Sequence, residues 1–246
     1  MLLRTNTHAR GTTNRSLDGA VVAIVGASGG LGSSLARLLA QRGAELVLAG
    51  PHAERLRVLA AELASSNTKI VTCDLRDARC GDALMDAVST TGRLDGLINA
   101  AGVVAFGSLL ETADHLIEEL FLTNTLGPLW LIKRVAPVLS TSKGFIVNIS
   151  AVVAEVPLPN MAAYSASKAA LTAADSALTR ELRRLGITVC DVRPPHVETG
   201  FSAHPISGHA PKLPAGLSAD VVARVIVESI EAGATDVPAL AFGVAP

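Results

Sequence analysis

Short unbroken apolar runs alternate along the chain with longer stretches of helical spacing. AVVAIVG, from Ala20, is the first run, and LGSSLARLLAQRG follows with an apolar face and stops at Gly43. ELVLAG, KIVTCD, LDGLINAAG, GFIVNIS and ITVCDVRP continue the series of runs. Between them lie AERLRVLAAELAS, DALMDAVSTTG, a stretch from about Ala113 to Leu139, and AAYSASKAALTAADSALTRELRRLG; SADVVARVIVESIEAG is the last helix. VPALAFG predicts a short final strand. Unbroken runs suit strands buried on both faces. Strand and helix alternating through short connections predict right-handed crossovers: an α/β fold, doubly wound, with a parallel sheet covered by helices on both faces. Gly127-Pro128, inside the fourth helical stretch, predicts a kink.

One segment has no period. Pro194 to Leu217 is long and rich in Pro, Gly and His. A long irregular loop in a compact domain is usually functional, and this one follows the C-terminal end of a strand, where open α/β sheets bind ligands.

With 246 residues, no repeat and no linker, the chain reads as one domain over residues 17–246, preceded by a disordered tail over 1–16. Aromatics are 3% of residues against 49% hydrophobic, so the core must be aliphatic. A net charge of -1 gives no general attraction to nucleic acid or to an anionic membrane. The uncharged run Gly19–Ala36 is broken by glycines and serines and reads as strand, turn and helix start, not as a span. Cys73, Cys80 and Cys190 are odd in number and lack CxxC spacing. They read as separate small buried residues in a reduced, cytoplasmic setting.

The first run leads into GASGGLG, Gly26 to Gly32, and then a helix. Glycines between a strand and a helix let backbone N–H groups and the helix N-terminus approach a pyrophosphate. The acid that usually holds a ribose about 20 residues later is missing, since the second run ends LAGPH. His52 and Arg55 are the nearest bases for a 2′-phosphate, so the cofactor reads as NADP or NAD with a lean to NADP. Tyr164, the only tyrosine, stands four residues before Lys168, which places both on one helix face. An ammonium beside a phenol favours the phenolate, so Tyr164 reads as an acid/base group tuned by Lys168.

GASGGLG, INAAG, NISA, YSASK and RPPHVET occur in this order, and with them the chain resembles the short-chain dehydrogenase/reductase family from about Leu17 onward. The resemblance implies a seven-stranded Rossmann domain binding NAD(H) or NADP(H), a homodimer or homotetramer, and a small-molecule substrate. It implies that Gly26, Ser28, Gly30, Leu31 and Gly32 form the pyrophosphate loop and that Asp74 and Leu75 meet the adenine. Asn99, Ala100 and Gly102 would lie beside the ribose, Thr199 would hold the nicotinamide carboxamide, and Pro194 and Val197 would also bind the cofactor. Tyr164, Lys168 and Asn124 would be catalytic, with Asn124 supporting a relay water through its backbone; Tyr164 and Lys168 would also bind the cofactor, Lys168 holding the nicotinamide ribose.

The chain departs from the family at two places. The substrate-orienting serine, thirteen residues before the tyrosine, is here Ala151, and Ser150 could substitute only if the strand end is bulged or turned. Pro195 stands where the family usually has glycine. Ala151 motivates a second reading, a dinucleotide-binding protein with little or no turnover; isomerase or lyase chemistry on the same scaffold is a third. His196, Glu198 and His204 lack any known ligand spacing, so no metal is expected. Glu155 either meets a polar substrate group or faces water. Val103, Val104, Phe106, Val152, Val153, Val156, Leu158, Met161 and Phe201 are the expected walls of an apolar pocket.

Overall fold

The structure, a computed structural model, describes residues 14–63 and 67–243. Most of the expected tail therefore lies outside the described residues. Arg15 is inside them and is packed: its N–H donates to Glu231 O at 2.8 Å.

Seven parallel strands form one sheet in the order β3-β2-β1-β4-β5-β6-β9. They are β1 (Val21–Val25), β2 (Glu45–Gly50), β3 (Lys69–Thr72), β4 (Gly96–Asn99), β5 (Phe145–Ile149), β6 (Thr188–Val192) and β9 (Asp236–Val237). The covering helices are α1 (Gly30–Gln41), α2 (Ala53–Glu62), α3 (Cys80–Ser89), α4 (Asp114–Phe121), α5 (Gly127–Ser142), α6 (Ala162–Glu181) and α7 (Ala219–Glu231). The chain winds outward from β1 to β3, then returns to β4 on the other side of β1. That reversal opens a crevice at the strand ends Val25 and Asn99.

Strand residues alternate between two cores. Val22, Ile24, Leu46, Leu48 and Val147 pack with the apolar faces of α1 and α7. Val21, Ala23, Val25, Leu97 and Ile146 pack with those of α3 and α5. Both faces are covered, which is why the runs are apolar throughout. No helix of the described residues is long and apolar enough to cross a membrane.

Four expectations change in detail. VPALAFG is not a full strand: only Asp236–Val237 pairs with β6, and Ala239–Phe242 is a 3-10 turn. Pro238 between them has no N–H to extend the ladder. The fourth helical stretch is interrupted before Gly127, by a wide π turn over Leu122–Leu126. Gly127 serves packing, because a Cβ there would sit 2.4 Å from Leu75 Cγ. The segment after Pro194 contains two short strands, β7 (Val197–Glu198) and β8 (Leu217–Ser218), paired in parallel so that its ends meet. Cys73 and Cys80, expected as separate thiols, are joined in a disulfide with Cα atoms 5.1 Å apart. Successive turns, Asp77 N to Asp74 O and Cys80 N to Asp77 O, fold the intervening residues back. Cys190 is buried and free.

Candidate active site

The glycine loop is as tight as its sequence demands. Gly26 has φ +82°, and a Cβ on it would lie 2.5 Å from Ala101 N. A Cβ on Gly32 would lie 2.2 Å from Gly26 O, and one on Gly30 2.5 Å from Thr199 Cβ. Gly29 caps α1 without a side chain, and the first turn holds no acid. The N–H groups of that turn are thus unmatched by side chains, the arrangement that accepts a phosphate. The residues present fit a dinucleotide pyrophosphate here.

Asn99 ends β4 and is 2% exposed, with Oδ1 buried and unpartnered. Three residues later, Gly102 is the meeting point of the crevice. A Cβ there would lie 3.2 Å from Asn124 Oδ1 and 3.3 Å from Lys168 Nζ. Asn124 sits in the π turn, fully buried. Such turns widen a helix by one residue and frequently mark functional sites. Its amide is held at both ends: Oδ1 accepts from Val103 N at 2.9 Å, and Nδ2 donates to Val103 O at 2.9 Å and to Ser167 Oγ at 3.0 Å. Ser167, in turn, donates to Tyr164 O at 2.8 Å. The sequence reading missed Ser167; its one signal was a small polar residue on the turn after Tyr164.

Tyr164 and Lys168 lie on the first turns of α6, 6% and 4% exposed. Lys168 Nζ donates to Ile149 O at 2.8 Å. Burial lowers its ammonium to about 8, against the opposing pull of Asp191. Burial also pushes the Tyr164 phenol above its ordinary value, and no lowering by Lys168 accompanies it. Desolvation of the buried phenol is what raises it.

Ser150 is not brought to this group. Its hydroxyl donates to Lys168 O at 2.9 Å and accepts from Thr172 at 3.0 Å, inside the β5–α6 contact. The strand end is neither bulged nor turned: Ala151 is extended, with φ -170° and ψ 160°. Ala151 packs in the apolar cluster with Tyr164, Val104, Phe106, Val153 and Met161, joined by Val103 and Val152. Most of the expected pocket wall is thus assembled, while Val156 and Leu158 are exposed.

Beyond β6, Ile206 N donates to Val104 O at 2.8 Å and Phe106 N to Ser207 O at 3.0 Å. These bonds strap the long loop onto the pocket wall. Thr199 lies against Gly30, and Phe201 Cζ would be 3.8 Å from a Cβ on Gly102. Glu198 accepts from Gly216 N at 2.8 Å, and His204 pairs with Gly200 O. Glu155 neither meets the pocket nor faces water alone: it pairs with Arg193. Asp74 is engaged by Arg76, which lowers its carboxyl from the ordinary value, and Leu75 is buried against Gly127. Pro194 O accepts from Val152 N at 3.0 Å, linking β6 to the strand end that carries Ala151.

Known proteins carry the same plan. Residues 20–207 match the short chain dehydrogenase family. A dehydrogenase/reductase SDR family member 7B of Xenopus laevis is 34% identical over 202 residues, 78% of this chain. The chain spans 62% of that relative's length. A short-chain dehydrogenase from Sphingobium yanoikuyae, solved with NADPH, is 30% identical and superposes with a TM-score of 0.81 over 89% of this chain and 87% of that one. A short chain dehydrogenase/reductase from Burkholderia phymatum, solved with NAD, is 26% identical with a TM-score of 0.83 over 92% and 90%. The glycine cradle, the crevice at Gly102 and the match over residues 20–207 agree: the chain belongs to the short-chain dehydrogenase/reductase family of oxidoreductases.

Proposed function

We propose that the chain is an NAD(P)-dependent oxidoreductase interconverting an alcohol and a carbonyl on an apolar small molecule, with Tyr164 as the acid/base. The observation that carries this reading is the convergence at Gly102 of Lys168 Nζ, from the helix that bears Tyr164, and Asn124 Oδ1, from the π turn before α5, next to the glycine cradle. Gly26, Ser28, Gly30, Leu31 and Gly32 would hold the pyrophosphate; Asn99, Ala100 and Gly102 would flank the ribose; Pro194, Val197 and Thr199 would close over the nicotinamide. A bound dinucleotide supplies or accepts the hydride.

Tyr164, with its phenol raised by burial, keeps its proton at neutral pH and is suited to protonate a carbonyl oxygen. Lys168, charged below about 8, supports the negative charge that then develops on the phenol oxygen. The apolar cluster around Ala151 and Met161 favours a hydrophobic carbonyl substrate. Arg55 favours NADP in this reading: its guanidinium donates to Ser28 O at 3.1 Å, which sets a cation beside the glycine loop that could pair with a 2′-phosphate. Arg55→Ala is expected to weaken NADPH binding at least tenfold and leave NADH binding unchanged. Homo-oligomerisation stays part of this reading on family grounds; analytical ultracentrifugation tests it.

A second reading has its own observation. Ala151 offers no donor, and Ser150 is committed to α6, which favours a dinucleotide-binding protein with little turnover. Fluorescence titration with NADH and NADPH, followed by a carbonyl and alcohol panel, separates the two. Turnover abolished by Tyr164→Phe supports the enzyme. Binding without turnover across the panel supports the second reading, and binding of neither dinucleotide removes both.

A further inference from the structure

A polar row crosses the sheet at one register. Asn99 of β4, Asn148 of β5, Asp191 of β6 and Asp236 of β9 are successive Cα partners. Arg193 N donates to Val237 O at 2.9 Å and continues the ladder. Arg193 therefore lies on the same side of the sheet as Asp191. It is 8% exposed and pairs with three carboxylates: Asp191 and Asp236 of the row, and Glu155. The first two belong to the sheet. Glu155 does not: it ends the 3-10 turn Val152–Ala154, which follows β5.

That turn is a wall of the crevice. Val153 is buried in the apolar cluster with Tyr164, and Ala151 and Val152 pack against the cluster. Two links tie the turn to the end of β6: Val152 N donates to Pro194 O at 3.0 Å, and Arg193 reaches Glu155. Arg193 and Glu155 border a cavity of about 480 Å³ that they share with Asp175, Asp191 and Asp236. No close-packed side chains back the pair on that side, so charge holds the wall where a core would use van der Waals contact. The pair is largely out of water, its side chains 10% and 25% exposed. A guanidinium presents its donors in a rigid fork, so two sheet carboxylates aim the remaining donor at Glu155.

We propose that Arg193 is a positioning residue for the substrate: through Glu155 it holds the 151–154 wall beside Tyr164 and so sets substrate affinity, without touching substrate or dinucleotide. This rests on the reading of the crevice as an oxidoreductase site. An apolar wall binds substrate and transition state alike, so loosening it raises KM and leaves kcat.

The test varies Glu155, because removing Arg193 would strand the buried Asp191 without its cation. Glu155→Ala breaks the link, while Glu155→Gln keeps an oxygen that accepts from Arg193. Hydrogen exchange of the full chain, without ligand, reads the clamp itself. The Val152 and Val156 amides should exchange at least tenfold faster in Glu155→Ala and close to the wild-type rate in Glu155→Gln, with the β1 amides unchanged in both. Kinetics on a hydrophobic ketone that the wild type reduces reads the substrate role. Glu155→Ala should raise KM at least fivefold, with kcat and dinucleotide affinity within twofold, and Glu155→Gln should restore KM. Equal exchange in wild type and Glu155→Ala overturns the clamp. Faster exchange with an unchanged KM, or a loss of kcat or dinucleotide affinity as large as the rise in KM, overturns the substrate role. A folded wild type that binds a dinucleotide yet reduces no ketone removes the enzyme reading and the substrate role with it; the exchange rates still decide the clamp.

Discussion

α6 buries a base near its start and an acid two turns later, and the fold uses them in opposite ways. Lys168 rests on Ile149 O and shares the space above Gly102 with Asn124. Asp175 has one oxygen held by Asn148 and the other unmet. Burial drives both toward about 8, the lysine from above and the aspartic acid from below. At neutral pH the base keeps its charge and the acid loses its own. The same desolvation therefore leaves a usable cation at the crevice and a neutral carboxyl two turns further along α6.

The sharpest break between the two ends should come from Tyr164→Phe. Removing the one hydroxyl that can move a proton at the crevice is expected to lower carbonyl turnover by about 10²–10⁴-fold. Dinucleotide affinity should change less than threefold, because the phenol oxygen holds no described partner in the cradle. Steady-state kinetics beside a fluorescence titration reads both. Turnover that survives would move the chemistry away from this end of α6.

Ala151→Ser should act at the same end with opposite sign. Position 151 is extended and packs with Tyr164, so a hydroxyl there enters the apolar cluster that holds the acid. A restored donor to the substrate oxygen is expected to raise kcat by up to about a hundredfold. An unchanged kcat on a substrate the wild type already turns over would mean that another group fills the role.

A pH profile gives a smaller effect. Lys168 is charged below about 8 and neutral above it. Its support of the developing phenolate is present below that pH and lost above it. Reductive kcat/KM should fall by about tenfold per pH unit once the pH exceeds about 8. A profile flat to pH 10 would show that the lysine's charge plays no part.

The crevice was far more legible in the sequence than the cavity, for a physical reason. A glycine cradle demands particular residues at fixed local spacing, since any Cβ at Gly26 or Gly32 meets backbone. Tyr164 and Lys168 sit on one helix face by periodicity alone. The strands, buried on both sides, announced themselves as unbroken runs. The polar row joins Asn99, Asn148, Asp191 and Asp236 across four strands, and only register brings them together. Ser150 shows the same limit at short range: its neighbour's backbone angles decide which way its hydroxyl points. The π turn at Asn124 left no residue-type signal, and Gly127, the visible irregularity, answered to Leu75 instead.

The gentlest contrast between the two buried groups lies in stability. Asp175 titrates at about 8 in the folded chain against an ordinary 3.8. Between those values the folded state holds a proton that the unfolded chain has released, so stability falls as pH rises. Lys168 titrates at about 8 against an ordinary 10.5. In that window the unfolded chain holds the extra proton, so stability recovers as pH rises further. Together they place a minimum near pH 8, approached from the acid side with a slope no steeper than about 1.4 kcal/mol per pH unit. Asp175→Asn should flatten the acid limb and leave the alkaline one, and Lys168→Met should do the reverse. Urea midpoints measured from pH 5 to pH 10 would show it. Wild-type and Asp175→Asn curves that run parallel between pH 5 and pH 8 would mean that Asp175 is ionised in the fold, with its charge already met by a buried donor.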